Sequence, residues 1–329
     1  MTADLDSLSV LALYSAMAVY ALAFVGFAID LARRSSPPLV DQATSHSATL
    51  NMSARVGTAP TLTLPPQTTT ETGATKPPAR STAARVATSL TVLAWTLQIG
   101  ATALRGVVAE RLPWANMYEF SLTGTVVIVG VYLGLLTRID LRYLGTFITG
   151  LTLVLLGIST VQYYVPVSPL PPALQSYWLV IHVFVAIVAT GFFAIGFALS
   201  FIQLASARQR ETTAIKRLAT LLQSLPTAEK LENLAYRVNI IGFILWTFTL
   251  IAGAIWAERA WGRYWGWDTK EVWTFIIWVL YAGYIHARAT AGWRGSRSAW
   301  LGIVGFAAVL FNFGIVNVFF TGLHSYSGL

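Results

Sequence analysis

Eight apolar runs, each near the length that crosses the hydrocarbon core of a bilayer, take up most of this 329-residue chain. They lie at 8–31, 86–107, 119–137, 143–165, 176–204, 237–257, 271–288 and 298–321. About 20 mainly apolar residues are needed for a helical span, and a helix is favoured in lipid because it satisfies its own backbone hydrogen bonds. Composition agrees: 55% of residues are hydrophobic and 11% charged, whereas a soluble domain carries about 25% charged residues. The fold class expected is therefore an all-α integral membrane protein, a polytopic bundle of about eight transmembrane helices.

Charge sets the orientation. The segments 32–85, 138–142, 205–237 and 288–297 together hold 17 Lys and Arg, and the segments on the other side hold 5. The positive-inside rule makes the first set cytoplasmic and puts both termini outside. The net charge of +8 is thus accounted for by topology, and no nucleic-acid partner is expected. Residues 1–31 read as a retained N-terminal anchor, since the run is too long for a signal peptide and lacks a small-residue cleavage site. Residues 32–85, rich in Thr, Pro, Ala and Ser, read as a disordered cytoplasmic loop. Residues 86–329 form the membrane domain proper. Within it, 205–236 carries Arg208, Arg210, Lys216 and Arg217 among spaced Leu and Ile, the pattern of an amphipathic surface helix that breaks near Pro226.

One outward loop, 256–273, reads WAERAWGRYWGWDTKEVW and packs five Trp and one Tyr into 18 positions. An interfacial aromatic belt explains single tryptophans. Trp256, Trp261, Tyr264, Trp265 and Trp267, with Gly262 and Gly266 between them and Asp268 following, exceed what anchoring needs. Glycine lets backbone approach a ligand closely, and clustered aromatic faces suit a flat apolar ring.

Of four histidines, His46 lies in the polar loop; His182, His286 and His324 lie in or beside spans, where an ionisable group is costly and functional by default. By helical rise His182 sits about 9 Å inside the outer end of its span, and His324 follows the last span at the same end. His286 lies about 22 Å along its span, towards the cytoplasmic side. Two neutral imidazoles flanking an aromatic slot fit the axial ligation of haem iron. Zinc would ask for three or four clustered ligands, and the chain contains no cysteine. Arg263 and Lys270 could pair with haem propionates, while Glu258, Asp268 and Glu271 could neutralise them; the alternatives stand open on sequence alone.

The stretch WGRYWGWDTKEVW resembles the WWD signature of the haem-handling superfamily. The segments RGVVAERLPWANMYEF, SYWLVIHVFVAIVATGFFAIGF, YAGYIHARATAGWRG and NVFFTGLHSYSGL resemble the CcsA/ResC branch of the System II cytochrome c synthases, over about 90–329. The family usually has Pro after the signature Asp, where this chain has Thr269.

The resemblance implies that His182 and His324 ligate haem at an outer WWD site and that His286 ligates it at an inner transmembrane site. It implies haem b as substrate, a CcsB/ResB-type subunit as partner and supplier of the second inner ligand, and a thioredoxin-like protein that keeps substrate thiols reduced. The implied activity is that of a holocytochrome c synthase in the plasma (inner) membrane, its active site on the outer face. It would join haem to the thiols of Cys-x-x-Cys-His apocytochromes c. A transmembrane haem exporter without attachment activity is the alternative.

Overall fold

The computed structural model describes residues 2–34, 81–169, 174–209 and 225–324. Eight long helices dominate: α1 Thr2–Arg34, α2 Thr82–Ala109, α3 Met117–Leu136, α4 Gly145–Gln162, α5 Tyr177–Gln209, α6 Ala228–Trp261, α7 Thr269–Thr290 and α8 Ser296–Phe311. No strand occurs among the described residues. Seven of the helical segments are long and apolar enough to cross a membrane; α7 is not among them. Its 22 residues include Lys270, Glu271, His286 and Arg288, which dilute the apolar run. It nonetheless reaches from one end of the bundle to the other, bonded through Lys270 to Asn317 and through Arg288 to Glu232. The chain is a multi-pass membrane protein, and large apolar side chains such as Leu11, Leu22, Ile244 and Ile251 face outward from the bundle as a lipid environment allows.

Several boundaries differ from those read in the sequence. The sixth span starts at Ala228, with the Thr227 hydroxyl accepting from the Lys230 amide, so 228–236 are part of α6 and not a surface helix. Residues 82–85, read as the end of the polar loop, already form the first turn of α2, capped by Ser81. Residues 35–80 of that loop, and 210–224 of the 205–236 segment, lie outside the described residues.

Beside a smaller cluster of Leu174, Leu179 and Trp256, two large cores hold the bundle. One joins Leu13 and Tyr20 of α1 to Ala94 of α2, Leu122 and Val129 of α3 and Ile148 of α4. The second is aromatic, with Phe193 of α5 stacked on Tyr281 of α7 at 3.7 Å between centroids. Polar pairs fix the register of α1, α2 and α3: the Tyr20 hydroxyl donates to Gln98 Oε1, and the Gln98 amide donates to Thr125 Oγ1. Such interhelical bonds are worth about 0.6 kcal/mol on average.

Arg105, one of the five basic residues on the side opposite the basic segments, is fully buried near the end of α2. Its guanidinium donates to Asp6, to Glu119 and to the Val165 carbonyl, and Arg111 donates to both oxygens of the same Glu119. Four charges from α1, α2, α3 and the loop between α2 and α3 thus neutralise one another, which is what allows an arginine to be buried at all. Glu119→Ala would leave two guanidiniums without their shared partner. It is expected to destabilise the protein by about 3–5 kcal/mol, measured by chemical unfolding in detergent; a loss below 1 kcal/mol would mean the network is dispensable.

Candidate functional site

The start of α5, the ends of α6 and α8 and the start of α7 surround one partly open cavity. Its walls are mostly apolar, including Phe120, Leu151, Val183, Phe306 and Phe313. His182, Trp256, Lys270 and His324 line it together, and a smaller cavity on the same histidines is lined by Tyr264 and Trp265. His182 and His324, paired in the sequence analysis, thus lie on one cavity. His286 is elsewhere, exposed on α7 towards the opposite end.

Each of the two histidines has one ring nitrogen committed. His182 is the sixth residue of α5, and its Nδ1–H donates to the Thr249 carbonyl of α6 at 2.9 Å. That approach depends on Gly253: a β-carbon there would lie 2.7 Å from His182 Cε1. His324 Nδ1–H donates to Asp268 Oδ2 at 2.6 Å. With Nδ1 tied to a carbonyl in one case and a carboxylate in the other, the tautomer leaves each Nε2 lone pair available to a metal. Trp256 is in ring contact with both imidazoles, near-parallel to His182 at 6.0 Å and edge-on to His324 at 5.5 Å. Trp261 packs edge-on against Trp256 and His324.

The loop that presents Asp268 is built tightly. Gly262 ends α6 with φ of 70°, a left-handed conformation suited to glycine. Trp267 also takes a left-handed φ, 59°, which a bulky residue adopts only under constraint. The constraint is Glu271, whose Oε2 accepts from the amides of Gly266 and Asp268 on either side of it. Asp268 Oδ1 also accepts from the Leu323 amide, joining the loop to the C-terminal segment beside His324. The hydrogen bond from His324 holds the Asp268 carboxyl below the usual carboxylate range. Its stabilising effect is thus full above the ordinary value near 3.9 and is lost as pH falls through the depressed one.

Trp267 itself is 77% exposed and Tyr264 63% exposed, so the loop aromatics divide into an inner set, Trp256, Trp261 and Trp265, and an outer rim. On the far wall, Asn312–Val316 forms a π-helical turn between α8 and the short helix Asn317–Phe319, a distortion frequent at functional sites. It directs Asn312, Phe313 and Asn317 onto the cavity. Thr249, Gly253, Asn317 and the ligand-orienting role of Asp268 were not identified from the sequence. All four act through partners more than 45 residues away, and only the Asp268 position carried any signal.

Residues 114–324 match the family described as Cytochrome C assembly protein. Among similar proteins is a Cytochrome c biogenesis protein CcsA of Guillardia theta, 36% identical over 242 residues, covering 68% of this chain and 80% of that protein. Another CcsA, from Gloeobacter violaceus, is 31% identical over 279 residues, covering 70% and 82%. A third, from Prochlorococcus marinus, is 40% identical over 180 residues, covering 48% and 57%.

Proposed function

This chain belongs to the cytochrome c assembly protein family, and we propose that it holds haem between His182 and His324 and attaches it to apocytochromes c. A role in cytochrome c biogenesis, and with it haem handling, follows from the family. The finer reading rests on one observation above the others. Two imidazoles with engaged Nδ1–H groups and open Nε2 positions line a single apolar cavity with one tryptophan touching both.

Haem b is the substrate. Each thiol of a Cys-x-x-Cys-His segment adds across one haem vinyl group: a carbon–sulfur and a carbon–hydrogen bond form as the S–H bond and the vinyl π bond are lost. No electrons are exchanged, so the thiols must arrive reduced, which is the work of a thioredoxin-like protein. The protein contributes axial ligands and orientation. Trp256 and Trp265 wall the macrocycle, and Tyr264 and Trp267 stand on the rim where the apocytochrome approaches. The site faces outward from the plasma (inner) membrane, with both termini on that side, a reading supported by the bias of Lys and Arg to the opposite segments.

A CcsB/ResB-type subunit completes the assembly. On α7, Phe275, Val279, Gly283 and His286 form one exposed stripe at helical spacing. A histidine on such a stripe suits a haem held between this chain and the partner, with the second ligand in trans.

The complex purified with haem should show a Soret band and should form thioether-linked haem on a reduced Cys-x-x-Cys-His peptide. Haem release without thioether formation would instead support an exporter. Asp268→Asn keeps the size of the side chain but weakens the bond that orients His324. It is expected to lower haem affinity at the outer site about 10- to 100-fold, read by spectral titration, and an unchanged affinity would remove Asp268 from the site.

A further inference from the structure

The cavity wall contains a cation that makes no ion pair among the described residues. Lys270, in the first turn of α7, is half-buried and lines the same cavity as His182 and His324. No Asp or Glu lines that cavity with it. Lys270 forms no ion pair among the described residues. The nearby carboxylates are engaged by other donors: Glu271 Oε2 accepts from the amides of Gly266 and Asp268, and Asp268 Oδ2 accepts from His324. Of the three ammonium donors one is used, in a bond to Asn317 Oδ1, while the Asn317 amide donates to Met117 Sδ at 3.4 Å. Asn317 thus aims the ammonium from a wall that is mostly apolar.

An ammonium with no ion-pair partner in a largely apolar wall is costly. The cost is offset if the ligand brings the anion. Arg263, the other nearby cation, does not meet this need: it is exposed, lines neither cavity, and folds back against Gly266. We propose that Lys270 binds a carboxylate of the ligand, so that the site recognises an iron porphyrin through two features, axial nitrogens on the metal and an ammonium on a propionate. This rests on the haem reading above and adds to it a fixed rotational setting of the macrocycle. With one propionate tied at Lys270, the vinyl edge on the opposite side of the ring is directed away from α7, and the apocytochrome thiols must approach from there.

The test uses the purified complex with two ligands, haem and haem dimethyl ester, whose propionates carry no charge. Wild type should prefer haem by about 10- to 100-fold, the range expected for one charge-assisted bond. Lys270→Met should erase that preference by weakening haem binding while leaving the diester unchanged. Lys270→Arg should restore most of it. A preference that survives in Lys270→Met overturns the assignment, as does an equal loss for both ligands, which would mark Lys270 as structural. A wild-type complex that binds neither porphyrin would sink the haem reading itself, an outcome distinct from both.

Discussion

Alanine at either His182 or His324 is expected to stop cytochrome c maturation while leaving the protein folded and in the membrane. Each imidazole offers its Nε2 to the cavity and ties its Nδ1 to a fixed acceptor, the Thr249 carbonyl or the Asp268 carboxylate. Removing one ring therefore deletes a ligand and only one hydrogen bond, a stability loss of about 1 kcal/mol. Haem in a site with one protein ligand should dissociate far faster and rest in uncontrolled orientations, so thioether formation is expected to fall by more than about 100-fold. Added imidazole should refill the vacated position and restore part of the activity. In both variants the freed acceptor, the Thr249 carbonyl or Asp268 Oδ2, can still accept from the added ring. Normal maturation in both variants would refute the bis-histidine site.

What sequence made legible, and what it did not, follows from the range of the interactions. The spans were readable because apolarity is a local property of each helix, and their boundaries erred where a helix continues past its apolar run, as α6 does back to Ala228. Helix α7 was recognisable by position and not by composition, since it carries the charges that close the bundle at both ends. His182 and His324 could be paired because helical rise alone puts both at the outer level. Their second partners could not: the His182 acceptor lies 67 residues away and the His324 acceptor 56. The Arg105–Glu119 network shows the same limit, since counting Arg105 among the basic residues of the outer side misses Asp6, which is 99 residues away and reached only once α1 packs on α2. The aromatic loop lies beside the cavity that the two histidines share, but the sequence did not show which of its tryptophans face inward. That division is set by Glu271 drawing the loop amides onto α7 and turning Trp267 out.

The same geometry bears on the inner histidine. His286 lies about 24 Å along α7 from Lys270 by helical rise, too far to share an iron with the outer pair. One account of a membrane histidine is a hydrogen bond to a neighbouring helix. Here the ring is exposed on the outward stripe of α7, and among the described residues its side chain has no hydrogen-bond partner. An exposed side chain with no partner contributes little to stability, within about 0.5 kcal/mol. His286→Ala should therefore leave the unfolding of the isolated subunit unchanged. In the complex with the CcsB/ResB-type subunit the expectation is different. If His286 supplies one axial ligand and the partner the other, its loss should remove about one of two bound haems, and imidazole should restore it. The outer site should retain its spectrum, since its two ligands are untouched. Haem content that stays constant per folded complex while stability falls would identify His286 as a packing residue and end its assignment as a ligand.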